Sequence, residues 1–180
     1  MTNAKNIALT GRDNQLLASL RSDIEAVSDT EVIRYALRYL ESFYNDTIEG
    51  RTLLIQPPSG EPQILQMTSL SEMFLRSSGQ TTKHHIRLQG ADLNRLDKLH
   101  HDLGISATEV VRRAIRYLGI ILNETKKGSA FALAFGDRLT QMRMDVLTSK
   151  AAVPRHQVTL DNSFTMYKPD YSDLLAAREL

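Results

Sequence analysis

The chain of 180 residues is 42% hydrophobic and 24% charged and has a formal net charge of +1, the balance of an ordinary globular protein. Because it contains no cysteine, a disulfide framework, thiol catalysis and cysteine-based zinc sites are excluded, and a cytoplasmic location is expected. Neither a signal peptide nor a membrane span is expected, because apolar runs such as that at 118–122 are far too short for a bilayer.

A strand and two amphipathic helices are predicted first along the chain. Residues 6–10 alternate between polar and apolar side chains, which predicts a strand with one buried face. The outward side chains of this strand are those of Asn6, Ala8 and Thr10. Two helices follow, because apolar residues recur at helical spacing over 16–24 and again over 32–40. Ser28 is the predicted N-cap of the second helix, with Glu31 at the spacing of a capping box.

The same order of elements recurs in the second half of the chain. TEVIRYALRYL at 30–40 and TEVVRRAIRYL at 108–118 agree at eight of eleven positions, and IALTGRD at 7–13 aligns with IRLQGAD at 86–92. This self-similarity predicts two copies of one structural unit. The second strand, at 85–89, is expected to direct outward the side chains of His85, Arg87 and Gln89.

The repeat divides the chain into five parts. These are a first unit at 1–50, a hairpin extension and linker at 51–82, a second unit at 83–127, a second extension at 128–148 and a C-terminal tail at 149–180. The extensions are expected to form short β-hairpins, since the PPSG of the first is typical of a turn. For the tail, which is predicted to hold a short strand and a helix, two interpretations stay open: a partner-binding segment, or a segment that packs on its own domain.

A unit with a single strand cannot bury its apolar faces alone. The economical arrangement pairs strand 6–10 antiparallel with strand 85–89 and packs the two long helices across a pseudo-twofold axis. The expected fold is therefore mainly α with short β-strands. A swapped dimer, in which each unit pairs across two chains, is equally allowed by the long connection at 46–82.

The second unit, HHIRLQGADLNRLDKLHHDLGISATEVVRRAIRYLG, resembles a ribbon-helix-helix module of the Arc/MetJ superfamily. The resemblance rests on the alternating strand, the GIS turn and the alanine-containing amphipathic second helix. The first unit is similar but less typical, and together the two units cover about half of the chain. The resemblance implies a tandem ribbon-helix-helix fold whose two-stranded ribbon enters the major groove of duplex DNA.

The resemblance also implies which residues contact DNA. The outward strand residues would contact bases, with arginine suited to guanine, glutamine and asparagine to adenine, and alanine or a threonine methyl to thymine. This set comprises Arg87, Gln89, His85, Asn6, Ala8 and Thr10. Phosphates would be bound at the starts of the second helices and beside the ribbon. That set comprises Ser106, Ala107, Thr108, Ser28, Thr30 and Lys83. Asp29 departs from the pattern, because a carboxylate repels phosphate.

The charge distribution favours the second unit as the half that faces DNA. Residues 83–127 contain nine Lys and Arg against five Asp and Glu, a net +4, whereas residues 1–50 contain five against eight, a net −3. The first unit is therefore interpreted as a structural partner or as a surface that faces protein.

Other patterns are given ordinary roles. The pairs His84–His85 and His100–His101 are not expected to bind a metal, because adjacent residues point in different directions. The arginines of the second helices are expected on solvated faces, with Glu109 paired to two of them. They are Arg34, Arg38, Arg112, Arg113 and Arg116. No catalytic motif or cofactor site is found in the sequence, so no enzyme activity is expected.

The leading functional hypothesis is a DNA-binding transcriptional repressor, with autoregulation or an antitoxin role as variants. The alternatives are an accessory DNA-binding protein of plasmid conjugation or partition, and a protein-interaction scaffold that has lost DNA binding. The expected partners are duplex DNA, a second copy of the chain on DNA and a protein bound through the tail, with no membrane.

Overall fold

The computed structural model describes residues 3–68, 70 and 81–142, which form four helices and two antiparallel sheets. The strands are β1 (Asn3–Thr10), β2 (Thr52–Gln56), β3 (Gln63–Leu65), β4 (Thr81–Leu88), β5 (Ala130–Phe135) and β6 (Arg138–Met142). The helices are α1 (Gly11–Asp23), α2 (Asp29–Ile48), α3 (Gly90–Leu103) and α4 (Ala107–Lys126). The fold is thus mixed α and β, with the order strand, helix, helix, hairpin occurring twice. The strand and helix expected in the tail lie outside the described residues.

β1 and β4 form a two-stranded antiparallel sheet, which we call the ribbon. This confirms the predicted pairing of the two repeated strands, and the pairing closes within a single chain. Both strands are longer than expected, and β4 spans 81–88 where 85–89 was predicted. One face of the ribbon carries four apolar side chains that are at most 1% exposed, those of Ile7, Leu9, Ile86 and Leu88. His84 and Thr82 lie opposite Ile7 and Leu9, so the same face becomes polar toward the start of β4.

The predicted serine caps are present at the starts of both long helices. The hydroxyls of Ser28 and Ser106 each accept a hydrogen bond at 3.2 Å, from the backbone N–H groups of Glu31 and Glu109 respectively. These bonds satisfy donors that the first turn of a helix leaves free. The Glu31 carboxylate accepts instead from the N–H of Val27, at 2.8 Å, so it reaches one residue beyond the cap.

The core lies between the ribbon and the two long helices, α2 and α4, which pack against each other. The rings of Phe43 and Tyr117 stack there, with centroids 4.7 Å apart and planes 6° from parallel. Tyr39 and Tyr117 are equivalent residues of the repeat. Because burial penalises the charged phenolate, it raises the pKa of Tyr39 to about 12 and raises the pKa of Tyr117 as well. Both side chains therefore stay neutral at physiological pH.

The two predicted hairpins are confirmed, and they share one sheet that the sequence did not lead us to expect. β2 pairs with β3 and β5 pairs with β6, while β2 and β5 pair with each other, giving the order β3-β2-β5-β6. One face of this second sheet joins the core through Leu53, Ile55, Phe131 and Leu133. The two units are consequently joined twice, by the ribbon at the N-terminal ends of the long helices and by this sheet beyond their C-terminal ends.

Among the described residues, none of the helices has both the length and the apolar character that crossing a membrane requires.

Candidate nucleic-acid interface

The solvent-facing side of the ribbon is polar and basic. Its side chains alternate with the buried ones, so the pleat of two paired strands places them in one shallow row. They are the exposed Lys83, His85, Arg87 and Asn6 and the half-buried Ala8. Within the described ranges, the side chains of Lys83, His85 and Arg87 have no hydrogen-bond or ion-pair partner, so their donors are available to a ligand.

Two residues predicted to lie in this row are placed elsewhere. Thr10 is 6% exposed, and the prediction that it faces outward is wrong. Its hydroxyl donates to the Asp13 carboxylate at 2.8 Å, and the two residues also bond each other's backbone N–H in a complete capping box at the start of α1. The strand alternation stops at Thr10 because the residue serves the helix that follows. Gln89 is exposed, but it lies just past β4, at the N-cap of α3.

Each long helix begins beside the ribbon. The start of α2 lies near β4, where the Asp29 carboxylate is 3.7 Å from Nδ1 of His84. The first turns of α4 lie near β1, where Arg112 donates to the carbonyl oxygen of Ala8 at 2.8 Å. The residues predicted to contact phosphate at these starts are all at least partly exposed. They are Ser28, Thr30, Ser106, Ala107 and Thr108.

The two helix starts differ in charge. The Asp29 carboxylate, 40% exposed, is 3.7 Å from Arg21 and the same distance from His84, so it remains at the surface of the first unit. The equivalent position of the second unit is Ala107, which has no charge. The start of α4 therefore combines free N–H groups with a positive dipole end, whereas the start of α2 adds a negative charge to the same arrangement.

The expectation that the helix arginines lie on solvated faces is wrong for Arg116, which crosses to the other unit and is buried there. Arg116 is 5% exposed, and its guanidinium contacts the Asp13 carboxylate through two nitrogens, at 3.2 and 3.1 Å. Arg116 also donates to the carbonyl oxygen of Leu70. Arg112 contributes a second cation 3.4 Å from Asp13. Because an unpaired buried charge is costly, these contacts hold α4 against the junction where β1 ends and α1 begins.

A related cluster surrounds Asp92, the repeat partner of Asp13. Arg34 and Arg38 of α2 approach its carboxylate at 3.7 and 3.4 Å, and Arg95 of its own helix donates at 2.7 Å. Arg34 also donates to the carbonyl oxygen of Arg87, as Arg112 does to Ala8. Both ribbon strands are thus held from the helix side through their backbone carbonyls. The signal for these clusters was present in the sequence, as an aspartate and two arginines that recur in both units.

The remaining predicted contacts are local. Glu109 lies 3.8 and 3.4 Å from Arg112 and Arg113, as the helical spacing predicted. His84 bonds the side-chain oxygen of Asn14 at 2.6 Å, and Nδ1 of His100 bonds the carbonyl oxygen of Ile105. Within the part of the chain that the structure describes, no three metal-binding side chains are grouped together.

Comparisons with protein-family models, with curated proteins and with solved structures gave no match for this chain.

Proposed function

We propose that this chain is a tandem ribbon-helix-helix protein that binds duplex DNA by inserting the ribbon into the major groove. Support comes from the one-sided chemistry of the ribbon, whose inner face buries four apolar side chains and whose outer face carries two cations and an imidazole that have no hydrogen-bond or ion-pair partner among the described residues. A two-stranded ribbon has the width to enter the major groove, where its outward side chains meet base edges.

Arg87 is the principal base-contacting residue in this proposal. Its exposed guanidinium can donate two parallel hydrogen bonds to O6 and N7 of a guanine. His85 and Asn6 are the neighbouring polar groups of the row, and Lys83 is suited to a phosphate beside them. Thr10 is not part of the base-contacting set, because it is buried.

The starts of the long helices bind flanking phosphates in this proposal. Ser106, Ala107 and Thr108 at the start of α4 form the stronger site, because the first turn of α4 has one carboxylate, that of the arginine-paired Glu109, whereas the first turn of α2 has two. Ser28 and Thr30 at the start of α2 form the weaker one, because Asp29 lies between them.

The biological role that we propose is repression of transcription, most simply of the protein's own operon, with the antitoxin and plasmid-accessory roles as variants of the same DNA binding. The second candidate is a protein-interaction scaffold. It is favoured by the net charge of −3 over residues 1–50, which a phosphate backbone would repel.

A mobility-shift assay on the DNA upstream of the chain's own gene tests the proposal. We expect Arg87→Ala to weaken specific binding by about 1–3 kcal/mol, because a bidentate guanine contact is lost. Lys127→Ala is the matched control. It removes one exposed positive charge just past the far end of α4, a 20-residue helix of about 30 Å, and should leave binding nearly unchanged.

Equal affinity of wild type and Arg87→Ala would refute the assigned base contact. The scaffold is distinguished by salt, since groove binding should lose affinity by orders of magnitude between low and moderate ionic strength. A protein that binds no duplex at any salt concentration would fit the scaffold and contradict the proposed function.

A further inference from the structure

The two strands of the ribbon carry unequal chemistry at equivalent positions. The internal repeat aligns positions 4, 6 and 8 of β1 with positions 83, 85 and 87 of β4. The residues are Ala, Asn and Ala in the first strand and Lys, His and Arg in the second. The hydrogen-bonding groups on the solvent-facing side of the ribbon are therefore concentrated on β4.

These positions are equivalent in space as well as in sequence. Asn6 lies opposite His85 in the ribbon, and His85 is also its partner in the repeat, so a pseudo-twofold axis that exchanges the strands passes through this pair. In the second sheet Leu54 lies opposite Ala132, again its repeat partner. One axis thus relates the two halves of the molecule, and it carries Arg87 onto the position of Ala8.

We propose that one ribbon of this chain recognises a non-palindromic duplex DNA element in a single fixed orientation, and that Arg87 sets that orientation. This inference rests on the proposed function. A ribbon built from two identical strands presents each side chain twice and so favours the same base pair on both sides of its axis. Here an arginine suited to guanine stands on one side, and alanine, which offers a thymine methyl only an apolar contact, stands on the other.

The contacts beneath and beside the ribbon support the same conclusion. Arg34 and Arg112 hold the backbone carbonyls of Arg87 and Ala8 in equivalent ways, so the difference between the halves lies in the side chains and not in the backbone. The flanking helix starts also differ, with the Asp29 carboxylate on one side and Ala107 on the other. Both the base-contacting and the phosphate-contacting parts of the surface therefore lack twofold symmetry.

Selection from duplexes with a random central segment tests the inference. The full chain is mixed with the pool, complexes that contain one chain per duplex are separated by native gel and mass determination, and their DNA is sequenced. We expect a consensus that differs from its own reverse complement within the base pairs under one ribbon. A guanine should dominate one half of it.

A second selection uses the double variant Arg87→Ala with Ala8→Arg, which moves the arginine to the other side of the pseudo-twofold axis. The dominant guanine should then move to the symmetry-related base pair on the other strand, so that the preferred orientation inverts. Arg87→Ala alone should weaken binding to the selected element by about 5-fold to about 150-fold and abolish the guanine preference at that pair. Circular dichroism checks the fold of each variant, and the single variant keeps the test decisive if the double variant does not fold.

A palindromic consensus from complexes with one chain would overturn the inference. So would an unchanged orientation with the folded double variant, or an unchanged guanine preference with Arg87→Ala. Failure to enrich any duplex, together with the absence of a mobility shift, would instead refute the proposed DNA binding and this inference with it.

Discussion

Asp13 and Asp92 occupy equivalent positions in the two units, and each is buried and faces two arginines of the opposite long helix, but these arginines differ in their access to water. Asp13 is 1% exposed and its partner Arg116 is 5% exposed. The two α2 arginines that face Asp92 are each nearly 40% exposed. One repeated pattern therefore gives a dry ion-pair cluster on one side of the molecule and a hydrated cluster on the other.

The difference goes with a second pair of positions, one helical turn from these ion pairs, where the two units carry different residues. On the dry side Leu16 of α1 lies over Gly119 of α4, so closely that a Cβ added at Gly119 would be 2.9 Å from a Leu16 methyl. On the other side the equivalent residues are Arg95 and Glu41, which form an ion pair. A groove lies between α2 and α3, lined by this pair and by Arg38, Ser42, Asn45, Ala91 and Asp92.

This comparison shows that an ion pair repeated in both units need not contribute the same energy in each. Water around the Asp92 cluster can replace any lost contact, so each of its ion pairs contributes little. The pair of Asp13 and Arg116 has no such replacement, because both side chains are buried, one helical turn from the close contact of Leu16 with Gly119. The energy of the repeated contact is thus set by the residues beside it.

The largest expected effect is on stability and comes from removing the two aspartates in turn. Asp13→Ala should lower the free energy of unfolding by about 3–5 kcal/mol, because the buried Arg116 would lose its close carboxylate and keep only that of Glu109 at 3.8 Å. Asp92→Ala should cost only about 1–2 kcal/mol, because its arginines remain hydrated. Urea denaturation followed by circular dichroism measures both values, and equal costs would contradict the distinction between a dry and a hydrated cluster.

A smaller effect is expected at the contact that seals the dry side. Gly119→Ala alone should change stability little, because the gain in helix propensity is offset by the close approach to Leu16. In a Leu16→Ala background the same substitution should stabilise the protein by about 1 kcal/mol, the usual advantage of alanine over glycine within a helix. Urea denaturation of the four proteins, wild type, both single variants and the double variant, measures the coupling between the two positions.

The matched control for this pair is Gly128→Ala, just beyond α4, where φ is +81° and alanine is strained whatever stands at position 16. Its effect should be the same in the wild-type protein and in the Leu16→Ala background. If the effect of Gly119→Ala is also independent of Leu16, the two residues are not coupled, and the explanation given for the sealed side is wrong.

Much of the fold could be predicted from the sequence because the sequence contains two copies of the same structural unit. Strand alternation, the helical stripes and the serines before Glu31 and Glu109 recur at matching positions, so each copy supported the assignment of the other. The ribbon follows from this, since one lone strand needs a partner and the repeat supplies it. The pairing of β2 with β5 was not predictable in this way, because a hairpin sequence specifies its own turn but not the strand that its outer edge will meet.

The candidate site was predictable where side-chain direction follows strand alternation and not where the strand ends. His85, Arg87, Asn6 and Ala8 are all on the solvent-facing side, as the period of two predicts. Thr10 follows the same parity but is taken up as a helix cap, an effect that depends on the aspartate three residues later. Arg116 was wrongly predicted on a solvated face because an amphipathic pattern does not reveal that the opposite unit supplies a buried carboxylate.

The smallest expected effect concerns the two helix starts, and it depends on the proposed binding of DNA. Asp29→Asn should raise affinity for duplex DNA by about twofold to about fivefold at low salt, because removing a carboxylate from a helix start favours a phosphate there by about 0.3–1 kcal/mol. The mirror substitution Ala107→Asp should lower the affinity by a similar factor. Both changes should diminish as salt is added, since exposed charges are screened.

Fluorescence anisotropy with a labelled duplex measures the four affinities of wild type, each single variant and the double variant. If the two substitutions act in the same direction, or if neither changes affinity in a folded protein, the helix starts do not contact phosphate and the ribbon must bind DNA without them.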